Sequence, residues 1–275
     1  MKKIFETEAT GEKLPSRMKD YLRSLGLSVT LIKEAKYGGI HLNGEAVTVR
    51  ATVNSGDKIE IYQKERVSDG IPPMDIPLTI LYEDEWLIAV DKPTNMPTHP
   101  SKGNNLPTLA NAVMGYFGGD FVFRSVNRLD RDTSGIVIIA KNQFSAGKLS
   151  ESMKKGLWEK KYHALISGVP SEKCGTIDAP IKRVQEGNIK RCVRPDGKEA
   201  ITKYQVLQSY GDSSLCSVTL LTGRTHQIRV HFAHIGHPLV SDFLYGERSD
   251  KEYYLRCKQI KFPHPITNEI LIIEA

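Results

Sequence analysis

The segment Asn-Arg-Leu-Asp-Arg-Asp-Thr-Ser-Gly, residues 127–135, is the stretch from which the larger part of the chain can be understood. Its centre is an aspartate, Asp130, that stands between two arginines, and its last three residues are typical of a tight turn. Extended apolar runs flank it at 121–126 and 136–140. Strands on both sides would hold the loop rigidly at the end of a sheet, which is how scaffolds present catalytic groups. Local composition alone leaves open a simpler interpretation, a surface hairpin whose aspartate and arginine pair with each other.

Composition places the chain among ordinary globular proteins, with 275 residues of which 40% are hydrophobic and 25% charged. We expect no membrane segment, because no run approaches the roughly 18 apolar residues of a span, and no signal peptide. The net charge of +6 mildly favours polyanionic partners. The four cysteines are scattered without a close pair, which argues against a zinc knuckle and fits the reducing cytoplasm: Cys174, Cys192, Cys216 and Cys257.

Two short helices are predicted within residues 16–37, where Ser16 can cap the first and Ser28 the second. The pair Asn43-Gly44 is a strong signal for a hairpin turn of type I′. Alternating apolar residues follow it up to a last strand at 58–62. This order of elements predicts a small αβ module at the start of the chain.

The helix pair of this module has a basic outer face, with five basic residues against two acidic ones: Arg17, Lys19, Arg23, Lys33 and Lys36 against Asp20 and Glu34. Residues 14–62 resemble the small RNA-binding domain named after a small-subunit ribosomal protein, the S-four-like domain. The helix pair, the Leu-Gly-Leu-Ser step between the helices and both turns match in order, although Val29 stands where a basic residue is usual. The resemblance implies that Arg17, Arg23, Lys33 and Lys36 track an RNA backbone without reading its sequence.

A polar, proline-rich segment at 64–77 has no hydrophobic period, and we interpret it as a linker. It divides the chain into an expected RNA-binding domain at 1–63 and a second domain at 78–275.

The second domain alternates predicted strands with predicted helices. Its strands are expected at 78–82, 86–90, 162–166 and 218–221, with a strand pair at 260–273; its helices at 107–117, 142–155 and after a capping Thr225; and a basic hairpin at 182–203.

Four segments of this domain resemble, in order, the RNA pseudouridine synthases of the RluA/RluD type. They are VDKPTNMPTHP at 90–100, VNRLDRDTSGIVIIAKN at 126–142, KKYHALISG at 160–168, and GKEAITKYQVL with LLTGRTHQIRVHFAHIGHPLVSDFLYG at 197–246. The resemblance covers the whole second domain. It implies an α+β fold with a mixed, largely antiparallel sheet and flanking helices, and an enzyme that isomerises uridine in ribosomal or transfer RNA. The implied protein works as a monomer and needs no cofactor, because the isomerisation involves no redox change or group transfer.

The same resemblance assigns the chemistry to three residues. Asp130 matches the catalytic aspartate, which either attacks the ribose covalently or removes a proton from it. Arg224 matches the arginine that pairs with this aspartate, and Tyr162 matches the tyrosine that stacks on the uracil. For RNA contacts, Arg128 is expected to fill the stack left by the flipped uridine, and Lys92 with the basic 182–203 segment to hold phosphates.

The chain departs from the family pattern at several positions near these motifs: Asn95, Asn127, Ser241, and Arg256-Cys257. Asn127 stands where histidine is usual, next to the catalytic loop. We expect it to alter loop packing or RNA contact rather than to abolish activity.

Two other interpretations remain open from the residues alone. The first is a metal site built from His226, His231, His234, His237 and Asp242. It is disfavoured because His226 and His231 diverge by more than a third of a helical turn and His237 lies beyond Gly236. The second is a non-catalytic RNA-binding or ribosome-assembly factor derived from a synthase, against which the retention of Asp130, Tyr162 and Arg224 argues.

Overall fold

The computed structural model describes residues 1–64, 70–101, 107–247 and 249–275. Within them lie a four-stranded and a nine-stranded sheet, each with its own hydrophobic core. The α+β class is confirmed, with a mixed and largely antiparallel sheet. Residues 65–69 of the expected linker lie outside the described part. In the described ranges, no helix is long and apolar enough to cross a membrane.

The smaller sheet has the strand order β1-β6-β3-β4, and a separate pair is formed by β2 and β5. Its first strand was not predicted from the sequence. The elements are β1 (Lys2–Glu8), β2 (Ser16–Arg17), α1 (Met18–Ser24), α2 (Val29–Ala35), β3 (Ile40–Leu42), β4 (Glu45–Ala46), β5 (Thr52–Val53) and β6 (Lys58–Gln63).

The two predicted helix caps have different outcomes. Ser28 caps α2 as expected, since its side chain accepts a hydrogen bond from the backbone N–H of Leu31 at 3.1 Å. The expected cap at Ser16 is wrong, because Ser16 pairs with Val53 in the β2–β5 ladder and α1 begins after Arg17 without a side-chain cap. A pairing with distant residues therefore overrides the local capping signal.

The larger sheet has the strand order β11-β14-β15-β10-β16-β9-β8-β7, with β17 paired to β16. All its ladders are antiparallel except β16 with β9, where Arg256 and Cys257 lie opposite Ser134 and Gly135. The elements of this part of the chain are β7 (Thr79–Glu83), β8 (Leu87–Lys92), α3 (Leu109–Tyr116), β9 (Ser134–Ala140), α4 (Gln143–Lys154), β10 (Glu159–Ser167), β11 (Cys174–Asp178), β12 (Ile181–Arg183), β13 (Arg191–Val193), β14 (Ile201–Ser209), β15 (Ser213–Leu220), α5 (Gln227–His234), β16 (Leu255–Pro263) and β17 (Ile270–Glu274). Strands β12 and β13 pair with each other in a separate two-stranded sheet.

The segment that leads into the loop at 127–133 is extended but is not the strand that the sequence predicted. It follows β9, with Val126 N–H donating to Ile138 O at 2.8 Å and Ala140 N–H donating to Arg124 O at 2.9 Å, and it forms a single bridge between Ser125 and Ile139. The outgoing run is a full strand, β9, whose residues from Gly135 to Ala140 are buried. Residues 127–133 thus emerge from a rigid, buried sheet.

Helix α4 joins the two cores. Phe144 belongs to the core of the smaller sheet, where its ring centroid lies 4.4 Å from that of Phe5, whereas Leu149 belongs to the core of the larger sheet. The Gln63 side chain hydrogen-bonds to both Gln143 and Glu34. Removal of the first 62 residues would therefore expose apolar surface on α4, as well as removing basic charge.

Candidate active site

The backbone of the loop that carries Asp130 is held by a buried asparagine. Asn127 is 5% exposed, donates from Nδ2 to Ile136 O at 3.0 Å, and accepts at Oδ1 from Ile138 N–H at 2.8 Å. Its amide continues the pairing along β9 where the incoming chain turns away. The unusual residue at this position therefore packs the loop, one of the two effects expected for it.

Replacement of this asparagine tests that role. In Asn127→Ala, one backbone donor and one backbone acceptor no longer have partners inside the protein, at a cost of about 1–3 kcal/mol for each. Urea unfolding followed by circular dichroism is expected to show this destabilisation, with Arg128→Ala as the control, since Arg128 is exposed. Equal stability of the two variants would contradict the anchoring role.

Lys92 also anchors the loop, and its expected role as a phosphate contact is wrong. The side chain is fully buried, and its ammonium donates to the carbonyls of Pro93, Met96 and Arg131 at 2.9, 2.7 and 3.0 Å. Burial lowers the pKa of Lys92 to about 8. All three ammonium hydrogens are used within the protein, so none remains for RNA.

Gly135 ends the loop at a position that needs glycine. Its φ is +106°, and a Cβ there would lie 2.2 Å from the carbonyl oxygen of Cys257. The start of β9 can therefore approach β16 directly. This close approach brings the loop next to β10, which pairs with β16 on its other side.

Asp130 projects from this loop toward the start of α5. Its side chain is 32% exposed, and its Oδ2 lies 3.8 Å from His226 Nε2 and 3.9 Å from Arg229 Nη1. The carboxylate is thus open to solvent on one side and faces nitrogen donors on the other. Such an arrangement leaves the carboxylate accessible to a substrate while the nitrogen donors can orient it.

Arg229 is fixed by a buried ion pair. Its Nε and Nη2 donate to the two oxygens of Asp242, both at 2.7 Å, and the side chains are 4% and 0% exposed. Three aromatic rings surround the guanidinium within 5.1–5.8 Å of its carbon: Phe243, Tyr245 and Tyr253. Burial opposes the charge, but the bonds to Asp242 outweigh it and hold the pKa of Arg229 above its ordinary value. Its remaining Nη1 is aimed at Asp130.

The expected pairing of Arg224 with Asp130 is therefore wrong. Arg224 is exposed, and its Nε donates to the carbonyl of Glu199 at 2.8 Å. The arginine near Asp130 is Arg229, five residues further along the same motif. Sequence reasoning missed Arg229, although a charged residue between Ile228 and Val230 on a mostly apolar helix was a usable signal.

Arg224 instead lines a basic groove of about 510 Å³ between the β12–β13 hairpin and the start of α5. The basic residues of this groove are Lys182, Arg183, Arg191, Lys198 and Arg224. One acidic residue, Asp196, also lines it and pairs with Lys182 and Arg194. The predicted basic hairpin is present as β12–β13, whereas residues 201–203 of the predicted range 182–203 belong to β14.

Tyr162 lies on β10 with 7% of its surface exposed. Burial raises its pKa well above the ordinary value, and Cys257 and Asp130 raise it further. The phenol is consequently neutral near pH 7. A neutral, flat ring suits the stacking on uracil that the resemblance implies for Tyr162.

The start of α5 also differs from expectation, since Thr225 does not cap it. The N-cap residue is His226, with a left-handed φ of +58° and no side-chain cap. The histidines of the alternative metal site have separate partners. His231 contacts Thr202 and the Ala179 carbonyl, His237 the Ser167 carbonyl, and His226 Tyr245. In the described part of the chain, no group of three or more metal-ligating side chains is found.

The other expected RNA contacts are all exposed: Arg17, Arg23, Lys33, Lys36 and Arg128. Arg128 stands two residues before Asp130 at the mouth of the loop.

Comparison with known proteins identifies the family of this chain. Residues 86–234 match the model of the RNA pseudouridylate synthase family. The chain belongs to this family. It is 37% identical over 266 residues to the RNA pseudouridine synthase YjbO of Bacillus subtilis, with 94% of each chain covered. It is 34% identical over 252 residues to the ribosomal large subunit pseudouridine synthase D of Pasteurella multocida, covering 84% of this chain and 78% of the relative.

Among solved structures, human RNA pseudouridylate synthase domain containing 1 superposes with a TM-score of 0.63 at 29% identity, covering 74% of this chain and 85% of that one. The expected RluA/RluD type and the expected activity are confirmed. The chain is an RNA pseudouridine synthase.

Proposed function

We propose that this synthase isomerises one or more uridines of ribosomal RNA, with Asp130 as the group that acts on the ribose. The observation that supports it most directly is the convergence at Asp130 of three separate elements. Its own loop precedes β9, Tyr162 comes from β10, and Arg229 comes from α5. One partly exposed carboxylate thus faces a fixed guanidinium, and its charge helps to raise the pKa of the buried Tyr162.

The reaction breaks the bond between ribose carbon 1 and the base nitrogen, and forms a bond from the same carbon to carbon 5 of uracil. Asp130 either adds to carbon 1 or removes a proton from ribose to give a glycal. Carbon 5 loses a proton and the released nitrogen gains one, so the reaction is balanced without a redox partner. In this proposal Tyr162 holds the detached base while it turns, and Arg229 orients Asp130.

The RNA is proposed to bind across the basic groove and the N-terminal helices. Residues 1–63 serve as an S-four-like RNA-binding domain and residues 78–275 as the catalytic domain, with 64–77 between them. Flipping the uridine out of its helix costs roughly a few kcal/mol, and Arg128 fills the gap that the base leaves in the stack. The cysteines are all free, which supports a reducing compartment such as the cytoplasm.

Ribosomal RNA is preferred over transfer RNA because two of the relatives are named as synthases of the large ribosomal subunit. Purified protein incubated with unmodified transcripts of large-subunit ribosomal RNA and of transfer RNAs distinguishes the two, with pseudouridine measured by nucleoside mass spectrometry. Product in the ribosomal transcript alone is expected. Product in transfer RNA alone would show that transfer RNA is the substrate, and product in neither RNA would contradict the proposed function. Pseudouridine mapping in a deletion strain would then locate the site.

The proposed RNA-binding role of the N-terminal helices gives a salt-dependence prediction. Neutralising four exposed residues to Gln (Arg17, Arg23, Lys33 and Lys36) leaves the packing of Phe144 against Phe5 intact. The slope of log affinity against log salt is then expected to fall by up to about 3–4, at roughly 0.9 for each RNA phosphate that the protein no longer neutralises. Filter binding over a salt series measures this slope.

The control for that experiment removes the same number of charges from exposed lysines of the larger sheet and its helices: Lys154, Lys155, Lys173 and Lys261. A smaller change is expected here. Equal changes in both variants would mean that net charge, and not the basic face of α1 and α2, sets the affinity.

A further inference from the structure

Besides Arg229, a histidine lies near Asp130, and its backbone has a conformation that few residues other than glycine adopt. His226 has a left-handed φ of +58°, and its side chain is 12% exposed. A residue other than glycine is held in this region only when its surroundings require it, and such positions concentrate at functional sites. Here the turn places the imidazole against Asp130 and leaves the first turn of α5 without a side-chain cap.

The hydrogen bonds around His226 determine which nitrogen carries its proton. The Tyr245 hydroxyl accepts a hydrogen bond from Arg191 N–H at 2.9 Å, and it lies 2.8 Å from His226 Nδ1. If the hydroxyl donates its own hydrogen to Nδ1, then the Arg191 N–H, the Tyr245 hydroxyl and His226 Nδ1 all have a hydrogen-bond partner. The neutral imidazole then carries its hydrogen on Nε2, which is the nitrogen that faces Asp130.

The charges around the imidazole agree with a neutral ring. Burial lowers the pKa of His226, and the cations of Arg229 and Arg191 lower it further against the opposing carboxylates of Asp130 and Asp242. His226 therefore presents an N–H donor to Asp130 and adds no second full charge next to Arg229.

Both nitrogen neighbours of Asp130 approach the same oxygen. His226 Nε2 and Arg229 Nη1 lie 3.8 and 3.9 Å from Oδ2. No such nitrogen is found near Oδ1 among the described residues, so Oδ1 is the oxygen available to a substrate. A small movement of the carboxylate on substrate binding would shorten both distances to hydrogen-bond length, since the hydrogen bonds of unliganded active sites are often long.

From this geometry we infer that His226 is a positioning residue of Asp130. Its Nε2–H, aimed by the Tyr245 hydroxyl, holds Oδ2 so that Oδ1 points at the ribose. The alignment starts at the backbone N–H of Arg191 on β13, a strand of the basic hairpin. The inference rests on the proposed role of Asp130 in the reaction.

The test compares two amides that place their nitrogen at different distances from the backbone. In His226→Asn the side chain tolerates the left-handed turn but reaches only the position of Nδ1. In His226→Gln the side-chain nitrogen reaches the position of Nε2 and can donate to Asp130. We expect His226→Asn to lower kcat by roughly tenfold to a hundredfold, the value of a hydrogen bond to a charged group, with KM nearly unchanged. His226→Gln is expected to recover most of that activity.

Tyr245→Phe provides a second, independent variant, because it removes the group that aims the imidazole and leaves His226 in place. A smaller fall in kcat, roughly threefold to tenfold, is expected. RNA affinity and thermal unfolding are measured for every variant. Wild-type kcat in His226→Asn would overturn the inference, as would a Gln variant that is folded, binds RNA and is no better than the Asn variant. Absence of pseudouridine from the wild-type reaction would instead overturn the proposed function, and the inference with it.

Discussion

Asp130→Asn protein is expected to bind RNA about as tightly as the wild type and to form no measurable pseudouridine. The amide keeps the shape of the carboxylate but is neither a nucleophile nor a base. A rate reduction of roughly 10²–10⁴-fold or more follows if the carboxylate acts on the ribose. Nucleoside mass spectrometry of the RNA product measures the activity, and filter binding measures the affinity.

The same loop supplies a control for this variant. Asp132→Asn removes an equal charge two residues away, where Asp132 pairs with Arg131 at 2.9 Å instead of with the groups around Asp130. We expect this control to keep most of the activity. Normal product from Asp130→Asn would refute the assignment of the reaction to Asp130, and inactivity of both variants would show that the loop needs charge rather than this carboxylate.

The sequence located Asp130 because the signals around it are local. An apolar run, a crowded polar loop, a turn ending in glycine and a β-branched run together specify a loop at the end of a strand. Strand β9 begins at Ser134, two residues before the predicted run at 136–140. The anchors of the loop were not predictable in the same way. Asn127 and Lys92 bond to carbonyls and amides that only the folded backbone brings within reach.

The sequence alone did not show which of Arg224 and Arg229 lies near Asp130. Both lie in one motif, and the helix was expected to start after Thr225. It starts instead after His226, whose left-handed φ redirects the chain. Arg224 lies before this turn and Arg229 lies within α5, and the fold brings Arg229 to Asp130. No local pattern in Thr-Gly-Arg-Thr-His-Gln marks that conformation.

Arg229→Gln is the replacement with the second largest expected effect, because it acts on both catalysis and stability. It removes the guanidinium that faces Asp130 and also leaves the fully buried Asp242 without its bidentate partner. Breaking a buried pair from one side costs about 3–5 kcal/mol of unfolding free energy. We expect a marked fall in both the urea midpoint and kcat.

The double variant Arg229→Gln/Asp242→Asn separates the two effects. It removes the buried charge as well as its partner, and two amides can hydrogen-bond to each other, so a large part of the stability should return. The activity should not return, because Asp130 still lacks the cation. Recovery of activity together with stability would show that Arg229 serves folding alone.

Arg224→Gln completes the comparison and decides between the two arginines. Arg224 is exposed and lines the basic groove, so its replacement should leave kcat and stability close to wild type, weaken RNA binding, and reduce the salt slope by about 1. If Arg224 were instead the partner of Asp130 in the complex with RNA, its replacement would abolish kcat while Arg229→Gln/Asp242→Asn stayed active. The structure predicts the opposite order, because a guanidinium already fixed at 2.7 Å by Asp242 meets Asp130 without a rearrangement of its own, whereas Arg224 would first have to leave the carbonyl of Glu199.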